Sequence, residues 1–290
     1  SCATQTPIAA AWPVRRGRPP RIPDGLPWSH VFGGSHNFNR MLANGGSLYI
    51  DDGKPVDGQF ARTIENLSMM TGTLAFNVPV GFAMLLSALK QDTGLRGRFF
   101  DKLDMLFYAG ASLPQDIWQG YADMAAAETG KVPLMTSGWG LTETAPVAIV
   151  QHEPAGRSGI IGVPVPGMTA KLVPDTEHRV EVRVKGPNVT PGYYRNPEQT
   201  AESFDDEGFL ITGDAMTFLS PENPAAGLCF DGRVSENFKL LTGSWVRTGP
   251  LRLDVLAALA PLAAAVAITG QDRSEIGGLV FPDFDALRYA

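Results

Sequence analysis

The alternation of strand-like and helix-like segments constrains the fold of this chain more than any other feature. Short apolar runs bounded by Gly, Pro or Asp, typical of buried strands, occur at 46–51, 73–78, 103–110 and 130–140. The pattern at 80–92 places large apolar side chains on one helical face, and the pattern at 114–130 has helix start and stop signals. Strands and helices that alternate at this spacing predict a layered α/β sheet.

The sequence pattern changes after about residue 158, where apolar and polar residues begin to alternate. The run VEVRVKG, residues 180–186, has the period of two that is typical of a half-buried antiparallel strand. From Phe230 onwards come a Gly-Arg turn and a short α/β pattern. We therefore expect a large α/β region, a β-rich subdomain and the opening part of a small C-terminal α+β domain.

The charge distribution argues against a nucleic-acid partner, because phosphate binding favours a basic surface and the formal net charge is −6. Residues 12–23 are the exception, since they carry arginines among prolines and glycines and suit an RNA-binding or targeting arm. A Pro/Arg composition cannot bury a core, however, and it lacks the apolar region of a secretory signal. We expect residues 1–25 to be a divergent, disordered leader.

The apolar and cysteine-containing segments point away from membranes and structural metals. The most apolar run near the C-terminus, residues 255–268, is too short and too interrupted by Pro261 to span a bilayer. Cys2 and Cys229 give neither a disulfide framework nor a metal-ligand spacing. These features favour a cytoplasmic globular protein with no membrane partner.

The stretch GFLITGDA, residues 208–215, ends an apolar run with a Gly turn and a carboxylate at Asp214. Gly-Asp is ordinary turn chemistry, so a lone match has a purely structural interpretation. A carboxylate at the carboxyl end of a strand can also accept two hydrogen bonds from a ribose diol. The stretch alone leaves both interpretations open.

The stretch TSGWGLTETAP, residues 136–146, has a similar double interpretation. Its glycines allow close approach of a ligand, and Trp139 offers a stacking face. Thr142 supplies a hydroxyl suited to phosphate, and Glu143 a hard oxygen suited to Mg²⁺. The same residues suit a Gly turn followed by a capped helix start.

Two further stretches are small-residue turns with a possible ligand role. YAGASLP, residues 108–114, fits close contact with a flat base or simply a tight turn. FDGRVSENFK, residues 230–239, places Arg233 behind a glycine, which is usually a solvated turn. Neither stretch decides the function by itself.

Taken together in order and spacing, these stretches resemble the signature segments of the AMP-forming adenylate family: acyl-CoA synthetases, luciferases and peptide-synthetase adenylation domains. SGWGLTETAP is similar to its aromatic-Gly-x-Thr-Glu motif, GYYRNPEQTAESFDDEGFLITGD to the segment ending in its ribose-binding aspartate, and GRVSENFK to its hinge entry. Within the family, LPWSHVFGGSHNFN, GGSLYIDDGKP, GPNVTPGYYRNPE and FDGRVSENFKL most resemble feruloyl-CoA synthetases. The resemblance covers about residues 26–270.

The resemblance implies an adenylate-forming α/β fold with a definite domain order. Residues 26–234 would form an AMP-binding domain that lacks its N-terminal part, and residues 235–290 a truncated C-terminal domain. Ser235 matches the hinge about which the small domain rotates between half-reactions. Many relatives carry Asp or Lys there, so serine is a departure from the family pattern.

The resemblance also implies the residues that bind nucleotide. Trp139 would stack on adenine, and the base pocket would be lined by Gly110, Ala111, Ser112 and Gly138. Thr142 would contact the α-phosphate and Glu143 the Mg²⁺ ion. Asp214 and Arg233 would bind the ribose hydroxyls.

For the acid, the resemblance points to His30 in LPWSH. It matches the family's histidine at the acyl pocket, where an imidazole meets the carboxylate and later gates thioester formation. Phe32 and Gly138 would form walls for a flat phenolic acid. On composition alone, His30 would more often be a structural histidine.

The implied reaction is the ligation of a hydroxycinnamate-type acid, such as ferulate, to CoA, with ATP and Mg²⁺. The carboxylate attacks the ATP α-phosphate and releases pyrophosphate, while positive partners stabilise charge on the phosphorus oxygens. The CoA thiol then attacks the acyl-adenylate, and water must be excluded because the mixed anhydride would hydrolyse.

Two elements of the family pattern have no match in these residues: a phosphate loop ending in Lys-Gly upstream of LPWSH, and the catalytic lysine near the C-terminus. We therefore expect an internal or truncated piece that is inactive alone. One alternative is a catalytically dead nucleotide- or acyl-binding fragment. Another is an adenylating enzyme for a different acid, such as a fatty acid or an amino acid.

Overall fold

The computed structural model of the chain describes residues 18–56, 58–176, 179–260 and 262–288. The strands in these ranges are β1 (Arg21–Asp24), β2 (Ser47–Ile50), β3 (Leu74–Asn77), β4 (Met105–Tyr108), β5 (Leu134–Trp139), β6 (Ile149–Val150), β7 (Ile160–Pro164), β8 (Thr169–Thr176), β9 (Arg179–Lys185), β10 (Leu210–Phe218), β11 (Leu228–Arg233), β12 (Phe238–Lys239), β13 (Trp245–Val246), β14 (Ala263–Thr269) and β15 (Gly277–Pro282).

The α-helices are α1 (Phe38–Ala43), α2 (Phe60–Met69), α3 (Pro79–Gln91), α4 (Thr93–Asp101), α5 (Gln115–Thr129), α6 (Pro197–Ser203), α7 (Thr248–Leu259) and α8 (Phe284–Arg288). A π-helix over Val31–Asn37 precedes α1, and 3-10 turns occur over Thr142–Thr144, Pro224–Ala226 and Val234–Glu236. The described residues divide into two compact units. The first extends to Ala170 and includes Val184–Leu210 and Leu219–Cys229, and the second comprises Lys171–Arg183, Ile211–Phe218 and the residues from Phe230 onwards.

The predicted layered α/β architecture is confirmed. The four apolar runs contain β2, β3, β4 and β5, and the two helical patterns are α3 and α5. Helix α5 ends at Gly130, whose φ of +69° is the left-handed conformation that commonly terminates a helix. The period-two run also forms a strand, β9, in which Val182 and Val184 are buried.

Ordered structure begins earlier than the sequence predicts. Within the segment expected to be a disordered leader, Arg21–Asp24 forms strand β1 and pairs in parallel with β2. Ile22 is fully buried, and backbone hydrogen bonds extend the pairing at both ends. Pairing and burial of this one strand outweigh the Pro/Arg composition around it, while residues 1–17 lie outside the described part of the chain.

The core of the first unit lies between the sheet and helices α2, α3, α4 and α5. Phe82, Leu86 and Leu89 on one face of α3 are almost fully buried, as the helical pattern predicts. Tyr121 of α5 is also fully buried, and its hydroxyl donates a hydrogen bond to the carbonyl of Phe82 at 2.9 Å. This packing fixes the helices against the parallel strands β3, β4 and β5.

The strand directions in the first unit determine where a site can form. β3, β4 and β5 are parallel neighbours in that order, and β6 and β7 continue the sheet in antiparallel fashion. The carboxyl ends of β4 and β5 therefore meet at one sheet edge. Crevices at such edges are where open α/β sheets bind ligands.

In the second unit, a buried ion network links β9 to β11. Asp231 and Arg179 are each about 3% exposed, and Arg179 Nε lies 3.2 Å from Asp231 Oδ2. Arg247, which follows in the chain, pairs with the other oxygen of Asp231. Arg179 also donates a hydrogen bond at 2.9 Å to the carbonyl of Arg233. One carboxylate therefore fixes three segments of this unit.

Candidate active site

The loops predicted to hold the adenine base lie at the same edge of the sheet. Tyr108 of β4 and Ser137 of β5 are register partners, and both strands end within two residues of that pair. Gly110 follows β4 with a φ of +88°, a conformation that favours glycine. The structure thus brings the 110–112 loop and the end of β5 together, as the resemblance implies, and their contact with a base stays a prediction.

The neighbours of Gly138 leave little room for a side chain. A Cβ atom here would lie 3.1 Å from the carbonyl oxygen of Ile149 and 3.2 Å from the ring of Phe107. The next residue, Trp139, pairs with Ile149 and is 8% exposed. Most of the indole surface is therefore covered by protein, so a base could reach only a limited part of the ring.

The Thr142–Thr144 turn projects two polar side chains while burying the third. Thr144 is fully buried and its hydroxyl accepts a hydrogen bond from the Leu141 amide at 2.8 Å. Gly140 permits the tight path, because a Cβ there would lie 1.7 Å from the Pro146 carbonyl oxygen. Thr142 is exposed and Glu143 half-buried, which leaves a hydroxyl and a carboxylate available on this turn.

A second segment, within the family-like stretch GPNVTPGYYRNPE, contacts this turn directly, although none of its residues was predicted to belong to the site. The Tyr193 hydroxyl donates a hydrogen bond to Glu143 Oε1 at 2.9 Å, and the Thr190 amide donates to the Glu143 carbonyl at 2.7 Å. The buried Asn188 side chain donates to the carbonyls of Thr144 and Val147. The hydrogen bond to Glu143 raises the pKa of the Tyr193 hydroxyl above its ordinary value.

Glu143 fits the way proteins hold Mg²⁺ beside a nucleotide. Among the described residues, no group of three or more His, Cys, Asp or Glu side chains is arranged around a metal position. Mg²⁺ needs no such cage, because it is usually held by one or two carboxylates together with substrate phosphates and water. Tyr193 engages Oε1 of Glu143, and no hydrogen bond to Oε2 is seen in the described part of the chain.

Two of the three residues predicted for the acid contact Phe107, and the third, His30, contacts Phe32. Phe32 packs edge-on against Phe107 with ring centroids 5.7 Å apart, and Gly138 abuts the same ring. His30 caps the π-helix, and its Nδ1 accepts a hydrogen bond from the Phe32 amide at 3.2 Å. A neutral His30 therefore carries its proton on Nε2, on an exposed side chain.

Beside these residues lies a second histidine, His36. It is fully buried and stacks on Phe107 at 5.3 Å. Burial lowers the pKa of His36 to about 3, so the ring stays neutral. Its Nδ1 pairs with the side-chain oxygen of Asn37, whose amide group donates in turn to Asp24. His36 is therefore a core residue.

In the second unit, the structure brings together the two residues predicted to bind ribose. Arg233 Nε lies 3.0 Å from Asp214 Oδ1, and Arg233 also donates to the carbonyl of Thr212 at 2.9 Å. The Asp214 side chain is 5% exposed, whereas that of Arg233 is 48% exposed. The carboxylate is thus held by β10 and oriented by an arginine that remains open to solvent.

Ser235, the predicted hinge residue, is exposed in the 3-10 turn Val234–Glu236 that directly follows β11. This location at the end of a strand suits a pivot, and the hinge role stays a prediction. In the same way, the domain division at residue 235 stays a prediction.

Two cavities in the first unit lie away from these residues. One of about 830 Å³ is lined by Asp104 and Leu134, at the amino ends of β4 and β5. A smaller one of about 50 Å³ lies between β1, β3 and α2. Among the described helices, none combines the length and apolar character needed to traverse a lipid bilayer.

Comparison with known proteins places this geometry in a family. A family model described as AMP-binding enzyme matches residues 7–194. The long-chain-fatty-acid–CoA ligase of Salmonella typhimurium is 34% identical over 200 residues, which are 65% of this chain and 32% of that protein. The probable acyl-activating enzyme 16 of Arabidopsis thaliana is 30% identical over 168 residues, 53% of this chain and 23% of that protein.

A solved structure of a malonyl-CoA ligase, a ternary product complex with methylmalonyl-CoA and AMP, superposes with a TM-score of 0.64 at 26% identity. The match covers 98% of this chain and 59% of that one. The chain thus spans about a quarter to a third of the curated relatives just described. The adenylate-forming α/β fold is confirmed, and the chain belongs to the AMP-binding enzyme family.

Proposed function

We propose that this chain forms the nucleotide- and acid-binding part of an ATP-dependent acid–CoA ligase. The ligase would activate a hydroxycinnamate-type acid, resembling ferulate, as an acyl-adenylate and transfer it to CoA in the cytoplasm. The observation that carries this proposal is the turn bearing Thr142 and Glu143 at the carboxyl edge of the sheet. It presents a hydroxyl and a carboxylate beside a small-residue loop, the combination that a nucleotide phosphate and its cation require.

Nucleotide binding uses groups whose positions are set by backbone contacts. The exposed Thr142 hydroxyl would donate a hydrogen bond to an α-phosphate oxygen, and Glu143 would hold Mg²⁺, which would supply positive charge against the phosphates. In the second unit, Asp214 accepts hydrogen bonds from the ribose diol while Arg233 pairs with one of its oxygens and orients it. The family resemblance assigns these roles, and the exposure and pairing of the side chains support them.

The acid carboxylate would meet His30. Because Nδ1 already accepts a hydrogen bond from the Phe32 amide, Nε2–H is the donor that this exposed ring can offer to a carboxylate. A carboxylate held there can attack the α-phosphate with pyrophosphate as the leaving group. Afterwards the same imidazole is free to reorient, which suits a gate for the incoming thiol.

The aromatic nature of the acid is proposed from the family resemblance. Phe32 and Phe107 form an edge-to-face pair beside Gly138, but they are only 6% and 1% exposed and belong to the core behind the predicted pocket. Aromatic rings pack well in such offset and edge-on arrangements. The resemblance to feruloyl-CoA synthetases is the ground for an aromatic acid, and a long-chain fatty acid is a second candidate because the Salmonella relative carries that name at 34% identity.

The experiment that tests the proposal measures binding and turnover of the 290-residue chain with both acid classes. Calorimetry compares non-hydrolysable sulfamoyl analogues of feruloyl-AMP and dodecanoyl-AMP, and a coupled assay follows pyrophosphate release with ATP, Mg²⁺, CoA and either acid. Tighter binding of the feruloyl analogue supports the proposed substrate class, and tighter binding of the dodecanoyl analogue supports the second candidate. Binding of AMP without preference for either acyl analogue would identify a nucleotide-binding fragment instead.

A further inference from the structure

We infer that Tyr193 is a positioning residue for Glu143, and that Asn188, Thr190 and Tyr193 together form a clasp on the Thr142–Thr144 turn. The inference rests on the proposed function of Glu143 as a Mg²⁺ ligand. Tyr193 would not touch nucleotide or metal. It would act by holding one carboxylate oxygen so that the other faces the cation.

The clasp grips the turn at both its backbone and its side chain. The Thr190 amide fixes the carbonyl of Glu143 at 2.7 Å, and the Tyr193 hydroxyl fixes its carboxylate at 2.9 Å. Asn188, which is 8% exposed, fixes the next carbonyl, that of Thr144, at 2.5 Å. Two consecutive residues of a short 3-10 turn are therefore held by one separate segment.

The clasp is itself anchored at its other end by the start of helix α6. The Tyr193 amide donates to Thr200 Oγ1 at 2.9 Å, and the Asn196 amide donates to the Tyr193 carbonyl at 3.1 Å. Asn196 also caps α6 by accepting a hydrogen bond from the Gln199 amide. Tyr193 thus has a fixed backbone from which its hydroxyl can orient a mobile carboxylate.

The chemistry of this pair suits a cation site. A Glu side chain has three rotatable bonds, so a half-buried carboxylate samples several orientations unless a second group fixes it in one of them. Outer-shell hydrogen bonds to a metal ligand fix its orientation, and their removal typically lowers metal affinity by 10- to 100-fold. Because Tyr193 takes Oε1, the cation would bind through Oε2.

Tyr194 offers a matched control for the removal of one phenolic hydroxyl. It is the next residue, is 86% exposed, and contacts the guanidinium of Arg195, 5.2 Å from its ring centroid. Tyr194→Phe therefore makes the same chemical change in the same segment without touching Glu143. An effect seen in Tyr193→Phe alone belongs to the Tyr193 hydroxyl, which contacts Glu143 and Ser203, and the Glu143→Gln background used below separates the two contacts.

The first arm of the test needs no ligand. Hydrogen exchange monitored by mass spectrometry follows the peptide that contains Thr142–Ala145, whose protected amides include those of Thr144 and Ala145. We expect Tyr193→Phe to speed this exchange by roughly three- to tenfold, since one hydrogen bond to the turn is lost. Exchange equal to that of the wild type and Tyr194→Phe would overturn the clasp.

The second arm measures ATP affinity by calorimetry as Mg²⁺ is varied. Tyr193→Phe should raise the Mg²⁺ concentration for half-maximal effect by about tenfold, with ATP affinity in excess EDTA unchanged. Adding Tyr193→Phe to Glu143→Gln should produce no further change. An unchanged Mg²⁺ requirement, or an additive effect in the double variant, would overturn the positioning role. A wild-type chain that binds ATP equally with and without Mg²⁺ would instead refute Glu143 as metal ligand, while the exchange arm still decides the clasp.

Discussion

Replacing Asp24 with Asn should stabilise the protein at neutral pH, because Asp24 is a buried carboxylate with one unsatisfied oxygen. Its side chain is 1% exposed, and its Oδ1 accepts hydrogen bonds from the Leu26 amide at 3.2 Å and the Asn37 side chain at 3.0 Å. Oδ2 is buried and has no hydrogen-bond donor among the described residues. Burial raises the pKa of Asp24 from 3.8 to about 6, so the folded protein binds this proton more tightly than the unfolded chain does.

The sign of the effect follows from proton linkage. A folded-state pKa above the unfolded value means that the folded protein holds an extra proton between about pH 4 and pH 6. The stability contributed by that proton is therefore lost as the pH rises through 6. A pKa change from 3.8 to about 6 corresponds to ~3 kcal/mol of destabilisation at pH 7.5 but only ~1 kcal/mol at pH 4.5.

Asparagine keeps the Oδ1 acceptor for Leu26 and Asn37 and removes the ionisable group. Any cost of burying the new amide N–H groups is the same at both pH values, so it cancels in the comparison. We expect the free energy of unfolding of Asp24→Asn, relative to wild type, to be ~2 kcal/mol more favourable at pH 7.5 than at pH 4.5. The nearby His36 acts in the opposite direction, because its lowered pKa of about 3 costs stability as the pH falls below 6.5, equally in both proteins.

Urea denaturation followed by tryptophan fluorescence at the two pH values measures this difference. Asp206→Asn, which changes an exposed carboxylate, serves as the matched control and should show no pH-dependent gain. A stability change for Asp24→Asn that is the same at pH 4.5 and pH 7.5 would refute the reasoning, since it would mean that Asp24 is ionised equally in the folded and unfolded chains.

Two further predictions concern ligands. Asp214→Ala should lower AMP affinity by ~2–4 kcal/mol in calorimetry, because it removes the ribose carboxylate and leaves Arg233 without that partner; near-unchanged affinity would remove Asp214 from the ribose site. His30→Ala should weaken binding of a feruloyl-AMP analogue more than binding of ATP, because its exposed Nε2–H serves the acid rather than the nucleotide; equal losses would indicate a structural histidine.

The elements of the fold could be predicted from the sequence because their signals are local. The apolar face of α3 and the glycine that ends α5 lie within the segments they define, so periodicity and stop signals locate both helices. Strand β1 could not be predicted in this way. Its four residues include Arg and Pro, and they form a strand only through pairing with β2, more than twenty positions later.

The site divides in the same way between local and long-range information. The family resemblance predicts roles for Thr142, Glu143 and Asp214 because each lies in a contiguous motif. Tyr193 also lies in a family-like stretch, but its hydrogen bond to Glu143 joins residues 50 positions apart, and the stretch itself does not indicate that contact. The Asn37–Asp24 contact, 13 positions apart across a strand and a π-helix, was hidden for the same reason.

The carboxylate of Asp231 has two arginine partners that differ in exposure: Arg179 is buried and Arg247 is half exposed. The Arg179 side chain is 3% exposed, whereas that of Arg247, on the other side of Ser235 in the chain, is 52% exposed. If the chain pivots at Ser235, Arg247 can return to water while Arg179 still neutralises Asp231, so the outer pair should separate for ~1 kcal/mol or less. Arg247→Gln should therefore speed hydrogen exchange around Ser235 and leave the unfolding midpoint nearly unchanged. Arg179→Gln, which leaves the buried Asp231 with only the half-exposed Arg247, should destabilise the unit more than Arg247→Gln. The Arg179–Asp231 pair therefore holds the structure together. The Arg247–Asp231 pair can separate while Asp231 keeps Arg179 as its counter-ion.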